Sequence, residues 1–419
     1  MKKSAKFCAA LLAGILSFSC LAFAPVSAEE KLDYAAVERH SNELYNKILN
    51  GFDSQGPRRV TATEDKNGMR LSENYPYYYG GTYINDDGRL VVLVTEQSPE
   101  VLSALEDLAG EEVLTEQCDF SYRQLREAQD EVWRYHKTLM DQGIYMMTAI
   151  PSVIAGRTLI GIQDWTPEKE AAIRSYVDLD CVEILDDTEL GERLGVMEEE
   201  PAPAPEEAEP LTEAEQRVEA ARAGLSIGGG YRILNSNGVP STTGFAAKRN
   251  GVSGIVISGH AGRSVGKQFR YNNTLIGSVS VTAFREGTMA DAAFVPASSL
   301  VTPSAKLANG AKIFYANENV FSAKTKIGII GALTKDFNGE LLDDGVTKYD
   351  YKTNVTICGL VVCKYNSVDG DSGAPIIKDY GSNNYELIGI HSSAEGALKY
   401  FSPYKAIKEN LGLSGIIAG

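Results

Sequence analysis

Several residue types are scarce in this chain of 419 residues, and the scarcity of cysteines and of basic residues argues against particular classes of protein. There are only two tryptophans and six cysteines. Two of the cysteines, Cys8 and Cys20, lie in the first 28 residues, and the four that remain are too few for a disulfide scaffold. Basic residues are outnumbered by acidic ones, 40 to 56, and no basic segment is interleaved with aromatic residues. This pattern argues against nucleic-acid binding.

The remaining cysteines are Cys118, Cys181, Cys358 and Cys363. The last two lie in a segment that reads as one strand, which would place their Cα atoms roughly 16 Å apart. A disulfide needs less than about 7 Å, so we expect both to be packed as thiols. The sequence leaves open whether Cys118 pairs with Cys181.

The first 28 residues have the pattern of a signal peptide. Lys2, Lys3 and Lys6 precede an apolar stretch, and Val26-Ser27-Ala28 supplies the small residues of a cleavage site before Glu29. An uncleaved anchor and a lipidated Cys20 are the alternatives. No other segment is apolar enough to span a membrane. We therefore expect export, no membrane association after cleavage, and, given the few cysteines, a Gram-positive bacterial source.

An acidic, proline-rich segment divides the chain. Residues 197–225 contain prolines at every second position from Pro201 to Pro205 and end in a predicted short helix, Leu211–Ala223. This predicts a linker between residues 29–196 and 226–419, although an acidic loop within one domain is the alternative. Residues 226–419 carry a net charge of +5 and the remainder −21. The opposite charges favour mutual docking, but the acidic half is equally well explained as a solvated surface.

Residues 29–196 have an α+β pattern. Two hairpins are predicted, one over Gly80–Val94 and one over Ser152–Ile162. Helices are predicted at Pro99–Leu108, Tyr122–Gln142 and Pro167–Val177, followed by a short strand at Cys181–Leu185. His40 and His136 are interpreted as surface or packing residues.

Residues 226–419 contain many short alternating segments separated by Asn, Gly, Ser and Pro, a pattern typical of a β-barrel or sandwich. The predicted strands are Gly254–Ile257, Thr274–Phe284, Ala292–Val295, Lys312–Tyr315, Lys326–Leu333 and Tyr385–Ile390. A closing helix is predicted at Lys405–Leu411.

Three short motifs in this half bring together the residue types that cooperate in acyl transfer. They are Ser258-Gly259-His260-Ala261-Gly262, Ala290-Asp291-Ala292-Ala293 and Gly370-Asp371-Ser372-Gly373-Ala374-Pro375. A serine hydroxyl becomes a strong nucleophile when an imidazole removes its proton, and the imidazole needs a carboxylate to fix its tautomer. Glycines beside the serine allow N–H groups to point at a developing oxyanion.

On these motifs, residues from about Ser226 to the end resemble the trypsin-like serine proteases, most closely the bacterial alpha-lytic protease and streptogrisin branch. The resemblance implies an all-β double β-barrel catalytic domain with its active site between the barrels. It also implies that Ser372 is the nucleophile, His260 the general base and Asp291 the orienting carboxylate. The N–H groups of Gly370 and Ser372 would form the oxyanion hole, and no metal or cofactor is expected.

Other residues near the motifs have secondary or rival roles. The resemblance implies that Asp371 holds its loop through a buried charge interaction. Ala261 stands where the family usually has Cys, and Ala374 where it usually has a second Gly, and neither change removes a catalytic group. Rival carboxylates are interpreted as members of polar loops: Asp336, Asp343, Asp344 and Asp350.

The specificity pocket is predicted to include Asn366, His391 and Ser392. Asn366 stands where trypsin itself has Asp, so a preference for Lys or Arg is not expected. Gly389-Ile390-His391 resembles the glutamate-specific endopeptidases, but Asp369 would repel a substrate carboxylate. The preference, and whether His391 is only structural, are left open.

The N-terminal half then resembles a pro-region, on Tyr79–Ile84 and Gly88–Val94. Such regions assist folding of the protease, inhibit it, and are removed, here near Leu225–Gly230. The leading hypothesis is a secreted serine endopeptidase that cleaves polypeptides and is made as an inhibited precursor. The alternatives are a permanent accessory domain, a catalytically silent binding module, or a regulatory protease with a retained sensor domain.

Overall fold

The structure, a computed structural model, describes residues 28–55, 61–65, 68–72, 75–196, 225–319, 321–379, 381 and 384–419. The predicted signal peptide up to residue 27, the linker from 197 to 224 and the predicted helix Leu211–Ala223 lie outside the described residues. Among the described residues, no helix has the length and apolarity needed to cross a bilayer.

The N-terminal half combines helices with three small groups of strands. Its helices are α1 Ala28–Gln55, α2 Pro99–Ala109, α3 Tyr122–Trp133, α4 His136–Met140, α5 Pro167–Arg174 and α6 Leu190–Arg193, with a 3-10 turn at Asp187–Glu189. Its strands are β1 Thr61–Asp65, β2 Gly68–Ser72, β3 Tyr79–Ile84, β4 Leu90–Val94, β5 Leu114–Gln117, β6 Met146–Ser152, β7 Arg157–Ile162 and β8 Val182–Asp186. The predicted α+β layout is confirmed.

Local signals explain where the N-terminal helices begin. Ser98 and Ser121 accept backbone hydrogen bonds as N-caps of α2 and α3, and Thr166 does so for α5. The single helix predicted over Tyr122–Gln142 is wrong in one respect, since it is interrupted at Arg134 and Tyr135. The interruption lets the rings of Trp133 and His136 stack 4.6 Å apart. His136 is buried, as expected of a packing residue.

The C-terminal half is built almost entirely of strands, closed by one helix, α7 Tyr404–Leu411. The first group of strands is β9 Leu225–Ile227, β10 Arg232–Asn235, β11 Pro240–Arg249, β12 Val252–Ile257, β13 Gln268–Tyr271, β14 Thr274–Ser278, β15 Val281–Thr282 and β16 Ala293–Pro296. The second group is β17 Val301–Pro303, β18 Lys312–Ala316, β19 Lys326–Ile330, β20 Lys335–Asp350, β21 Val355–Lys364, β22 Pro375–Asp379, β23 Asn384–Glu395, β24 Leu398–Pro403 and β25 Gly415–Ile416.

These strands form two barrels. In the first, the order is β14-β13-β10-β11-β12-β16-β15, and the Ser298 N–H donates to the Ile276 carbonyl to bring the last strands back towards the first. In the second, the order β19-β22-β23-β24-β21-β20 is closed by pairing between β19 and β20. Apolar side chains fill each barrel, and a further cluster around Phe245 and Ile390 joins the two. The predicted double β-barrel is confirmed.

The N-terminal half packs directly on the second barrel. Strand β6 pairs with β20 through Thr347↔Ala149 and Lys348↔Thr148, so β6, β7 and β8 extend the barrel sheet. On another face, Glu38 of α1 forms a buried ion pair with Lys378 of β22. The two halves are therefore in direct contact.

The structure answers two predictions about single residues, one on the rival carboxylates and one on the cysteines. The rival carboxylates are predicted to lie in polar loops, and this prediction is wrong. All four belong to the long strand β20: Asp336, Asp343, Asp344 and Asp350. Its polar residues find partners within the fold, and Asp343 accepts from Ser152. The four described cysteines are free thiols, so Cys118 and Cys181 do not pair.

Candidate active site

His260 and Asp291 are brought together by two neighbouring strands. Strands β12 and β16 are antiparallel, with Ile257 opposite Ala293. His260 follows the end of β12 and Asp291 precedes the start of β16, so both lie at the same edge of the first barrel. There the His260 Nδ1–H donates to Asp291 Oδ2 at 2.7 Å, and the His260 backbone N–H donates to Asp291 Oδ1 at 2.7 Å. The imidazole is thereby fixed in position and tautomer.

The Asp291 carboxylate is itself held from behind. Its side chain is only 2% exposed. The Ser392 hydroxyl donates to Asp291 Oδ2 at 2.6 Å, and the Asp291 backbone N–H donates to the Ser402 hydroxyl at 2.8 Å. A buried carboxylate that accepts several hydrogen bonds is stabilised in its ionised form.

The pKa values of this pair move in opposite directions. Burial lowers the pKa of His260, but the adjacent Asp291 carboxylate outweighs this and leaves that pKa above its usual value. Burial raises the pKa of Asp291, but the imidazole and the hydrogen bonds from His260 and Ser392 outweigh this and leave that pKa below its usual value. The arrangement favours a carboxylate beside an imidazole that readily accepts a proton.

Ser372 lies in a turn that two glycines make possible. Gly370 has φ +104° and Gly373 has φ +93°, conformations that side chains rarely adopt. A Cβ at Gly373 would lie 2.4 Å from the Thr242 carbonyl oxygen, so the turn also needs glycine for space. The Thr242 N–H donates to the Ser372 carbonyl at 2.9 Å and the Thr242 hydroxyl to the Gly370 carbonyl at 2.8 Å. Thr242 of the first barrel thus positions the turn of the second.

Asp371 holds the same turn, although by other means than expected. Its fully buried carboxylate accepts from the backbone N–H groups of Leu333, Thr334 and Val368. These three partners are backbone dipoles rather than an oppositely charged group. The loop before β20 is thereby tied to the turn that carries Ser372.

Ser372, His260 and Asp291 line one cleft of about 1390 Å³. His260 is partly open to it, with 29% of its side chain exposed. Among the described residues, neither the Gly370 nor the Ser372 N–H donates a backbone hydrogen bond. The three side chains that the sequence predicted therefore line one cleft.

The predicted pocket residues line this cleft as well, in different ways. Asn366 is exposed, and its N–H donates to Asp336 Oδ2 at 2.8 Å. His391 is buried, and its Nδ1 shares a 2.8 Å hydrogen bond with the Tyr365 hydroxyl. Ser392 uses its hydroxyl to support Asp291 rather than to face a substrate. Asp369 is exposed at the rim.

Three residues at this site were not found by sequence reasoning. Ser402 and Thr242 act through contacts more than 100 residues away along the chain, and no motif marks them. Lys399, which also lines the cleft, reads in the sequence as an ordinary polar residue of a strand. The pairing of β24 with β23 places Lys399 at the cleft, and no local sequence signal marks that pairing.

Comparison with known proteins gives the following similarities. Residues 29–118 match the family described as a Pro-like N-terminal domain. Protease A of Thermobifida fusca is 21% identical, with 46% of this chain and 100% of that one covered and a TM-score of 0.40. A protease from Nocardiopsis is 23% identical, with 45% and 97% covered and a TM-score of 0.38. A glutamic acid specific serine protease that binds substrate with a histidine triad is 20% identical, with 45% and 100% covered and a TM-score of 0.39.

No curated protein matches the chain. This chain, with its double barrel, is similar to bacterial serine proteases of the trypsin type, alpha-lytic protease homologues among them, and its residues 29–118 match a Pro-like N-terminal domain.

Proposed function

We propose that the chain is a secreted serine endopeptidase, made as a precursor whose N-terminal region assists folding and inhibits the enzyme. The observation that carries the proposal is the hydrogen bond from His260 Nδ1 to the buried Asp291, beside Ser372 in one cleft. A serine, an imidazole and an ionised carboxylate are the three groups that acyl transfer to serine requires.

In this mechanism the Ser372 hydroxyl oxygen attacks the carbonyl carbon of the scissile peptide bond. His260 Nε2 takes the hydroxyl proton, and Asp291 stabilises the imidazolium that forms. The N–H groups of Gly370 and Ser372 donate to the oxyanion of the tetrahedral intermediate. His260 then gives its proton to the leaving amine as the C–N bond breaks, and water hydrolyses the acyl-enzyme by the same steps.

The inhibitory role rests on where the N-terminal half ends. Gly195 and Val196 line the same cleft as Ser372. The next described residue is Leu225, at the start of β9. An N-terminal region that reaches the cleft and shares a sheet with β20 is positioned to obstruct substrates until it is removed. The signal-peptide pattern of residues 1–28 and the free thiols suit export from a Gram-positive bacterium.

A fluorophosphonate probe, which reacts with activated serine hydroxyls, tests the proposal. The exported product of the wild-type chain is expected to be labelled, and Ser372→Ala to abolish labelling. Ser367→Ala is a matched control, because Ser367 lines the same cleft, and it should be labelled like the wild type. If the processed wild-type protein is not labelled, the chain is a silent binding module instead. N-terminal sequencing of the active product distinguishes a removed pro-region from a retained sensor domain.

A further inference from the structure

Arg263 places a positive charge beside His260 in the wall of the candidate active-site cleft. The Arg263 Nε–H donates to the His260 carbonyl at 3.2 Å. Both residues line the cleft together with Ser372. The charge of Arg263 also acts on the imidazole: burial and Arg263 both lower the pKa of His260, although Asp291 outweighs them. Arg263 is therefore linked to His260 by a direct contact and by its charge.

The ring of Phe284 holds the Arg263 guanidinium in place. The central carbon of the guanidinium lies 5.5 Å from the centre of the Phe284 ring. That ring meets the His260 ring edge-on, with the two centres 6.2 Å apart. Gly259 permits this approach, because a Cβ there would lie 2.7 Å from the Phe284 Cβ. An arginine held against an aromatic ring loses less side-chain freedom when it binds an anion.

The charge of Arg263 is not neutralised within the part of the chain that the structure describes. Its two contacts there are a carbonyl and an aromatic ring, and no described carboxylate forms an ion pair with it. The Asp291 carboxylate is paired with His260. The Asp350 carboxylate accepts the Lys352 N–H within its own turn. The exposed guanidinium therefore retains a full positive charge at the cleft.

A second positive charge lies on the turn that follows Arg263. The Lys267 N–H donates to the Ser264 carbonyl at 3.1 Å, and Val265 between them is 68% exposed, so the turn projects into solvent. Burial and the charge of Arg263 lower the pKa of Lys267. The two cations are therefore close enough to repel each other, and together they make residues 263–267 a positive surface.

The position of His260 determines which part of a substrate would lie near this surface. In the mechanism proposed above, His260 gives its proton to the leaving amine, which belongs to the residue after the scissile bond. That nitrogen must come within hydrogen-bond reach of His260 Nε2, roughly 3 Å. The residue after the scissile bond would therefore lie on the His260 side of the cleft, where Arg263 is.

We propose that Arg263 determines substrate specificity on the leaving-group side, by selecting an acidic side chain, Asp or Glu, at the residue that follows the scissile bond. The proposal rests on the protease function proposed above. The substrate carboxylate would accept a charge-assisted hydrogen bond from the terminal NH₂ groups of the guanidinium. Because Arg263 is exposed, solvent weakens the attraction, and the preference for Glu over the neutral Gln should be about three- to fivefold.

The test uses the exported, processed enzyme and internally quenched peptides that are cleaved at one bond and differ only at the residue after it, with Glu, Gln or Lys. For the wild type, kcat/KM should be about three- to fivefold higher for Glu than for Gln, and this ratio should fall towards one at high salt. Arg263→Gln should bring the ratio close to one, Arg263→Lys should retain most of it, and Arg263→Glu should favour the Lys peptide.

Arg270→Gln is the matched control. Arg270 is also an exposed arginine of the first barrel and donates to a carbonyl, that of Asn273, at 3.0 Å, but it does not line the cleft. The ratio of Glu to Gln for this variant should equal that of the wild type. A peptide series that varies the residue before the attacked carbonyl is the second control, and its preferences should not change in Arg263→Gln.

Labelling of Ser372 by the fluorophosphonate probe separates the two proposals. If Ser372 is labelled but the wild-type ratio of Glu to Gln is near one, or Arg263→Gln keeps the wild-type ratio, the role of Arg263 is refuted and the protease function stands. If Ser372 is not labelled in the wild type, the protease function fails and the role of Arg263 fails with it. Should Arg263→Gln not fold, the wild-type ratio and its dependence on salt decide the matter.

Discussion

The buried ion pair between Glu38 and Lys378 gives the sharpest prediction about how the two halves hold together. Both side chains are almost fully buried, at 4% and 3% exposed, and their charged atoms are 2.8 Å apart. The second carboxylate oxygen of Glu38 accepts the Lys326 N–H at 2.6 Å. Burial lowers the pKa of Lys378, and the Glu38 carboxylate opposes that shift. Removal of the carboxylate charge should therefore leave an ammonium in a site built for a pair.

Glu38→Gln makes this change with little alteration of shape. Breaking one partner of a buried pair costs about 3–5 kcal/mol. Glu386, opposite Lys378 in the sheet, offsets part of the loss, so we expect a value near the lower limit. A loss of about 3 kcal/mol corresponds to a roughly 150-fold larger population of the locally opened state.

Hydrogen exchange of the backbone amides of α1 measures that population in the full-length Ser372→Ala chain. The α1 amides of Glu38→Gln should exchange about 100-fold faster than those of the parent. Glu43→Gln is the control, because Glu43 lies on the same helix but is 63% exposed, and it should change exchange by less than about threefold. The double variant Glu38→Gln with Lys378→Met should exchange more slowly than the single variant. Equal exchange in Glu38→Gln and Glu43→Gln would refute the reasoning.

Two further predictions concern the site and the processing. In the proposed mechanism only neutral His260 is active, and Asp291 holds the pKa of His260 above its usual value. We therefore expect kcat/KM to fall as the pH decreases through a value above the usual pKa of histidine. Asp291→Asn should shift this fall in kcat/KM to lower pH and reduce the maximal kcat/KM by on the order of 10⁴-fold. A pH profile that does not shift would contradict the role of Asp291 in raising the pKa of His260. The new N-terminus should lie at or before Ser226, because Ser226 is exposed whereas Ile227–Gly230 are buried. Sequencing that finds a start within Ile227–Gly230 would contradict this.

The catalytic candidates could be predicted from sequence because each lies in a short, local motif. The strands around Ile257 and Ala293 were also recognisable from alternation, although their pairing was not. That pairing is what sets His260 against Asp291. Ser402, by contrast, supports Asp291 from 111 residues away, and a lone serine in a strand carries no local signal. Contacts of this length depend on the closure of the second barrel.

The prediction of one continuous helix over Tyr122–Gln142 was wrong for a similar reason. The periodicity over Tyr122–Gln142 is continuous, and no Gly or Pro marks the interruption at Arg134 and Tyr135. There the stacking of Trp133 on His136 accompanies a turn out of the helix, and His136 also meets the ring of Tyr349 from β20. Tertiary packing with a distant strand therefore outweighs local helix propensity.

Contacts between residues far apart in the sequence also explain why the aspartates of β20 were interpreted as parts of polar loops. Its Leu341 packs in the core of the second barrel, while Leu342 and Val346 pack in the cluster shared with the N-terminal half. Asp343 accepts from the Ser152 hydroxyl and the Val153 N–H, both at 2.7 Å, and burial raises the pKa of Asp343 to about 8.

Strand β20 thus has one surface that the barrel satisfies and another that the N-terminal half satisfies. Without the N-terminal half, Leu342 and Val346 would lose apolar partners, and Asp343 would lose its donors in that half. A strand with such a sequence is better stabilised in the precursor than in the barrel alone. Since β20 also closes the second barrel against β19, its stabilisation by the N-terminal half would favour formation of the barrel that carries Ser372. The polar sequence that obscured the strand is therefore an argument for the folding role proposed for residues 29–196.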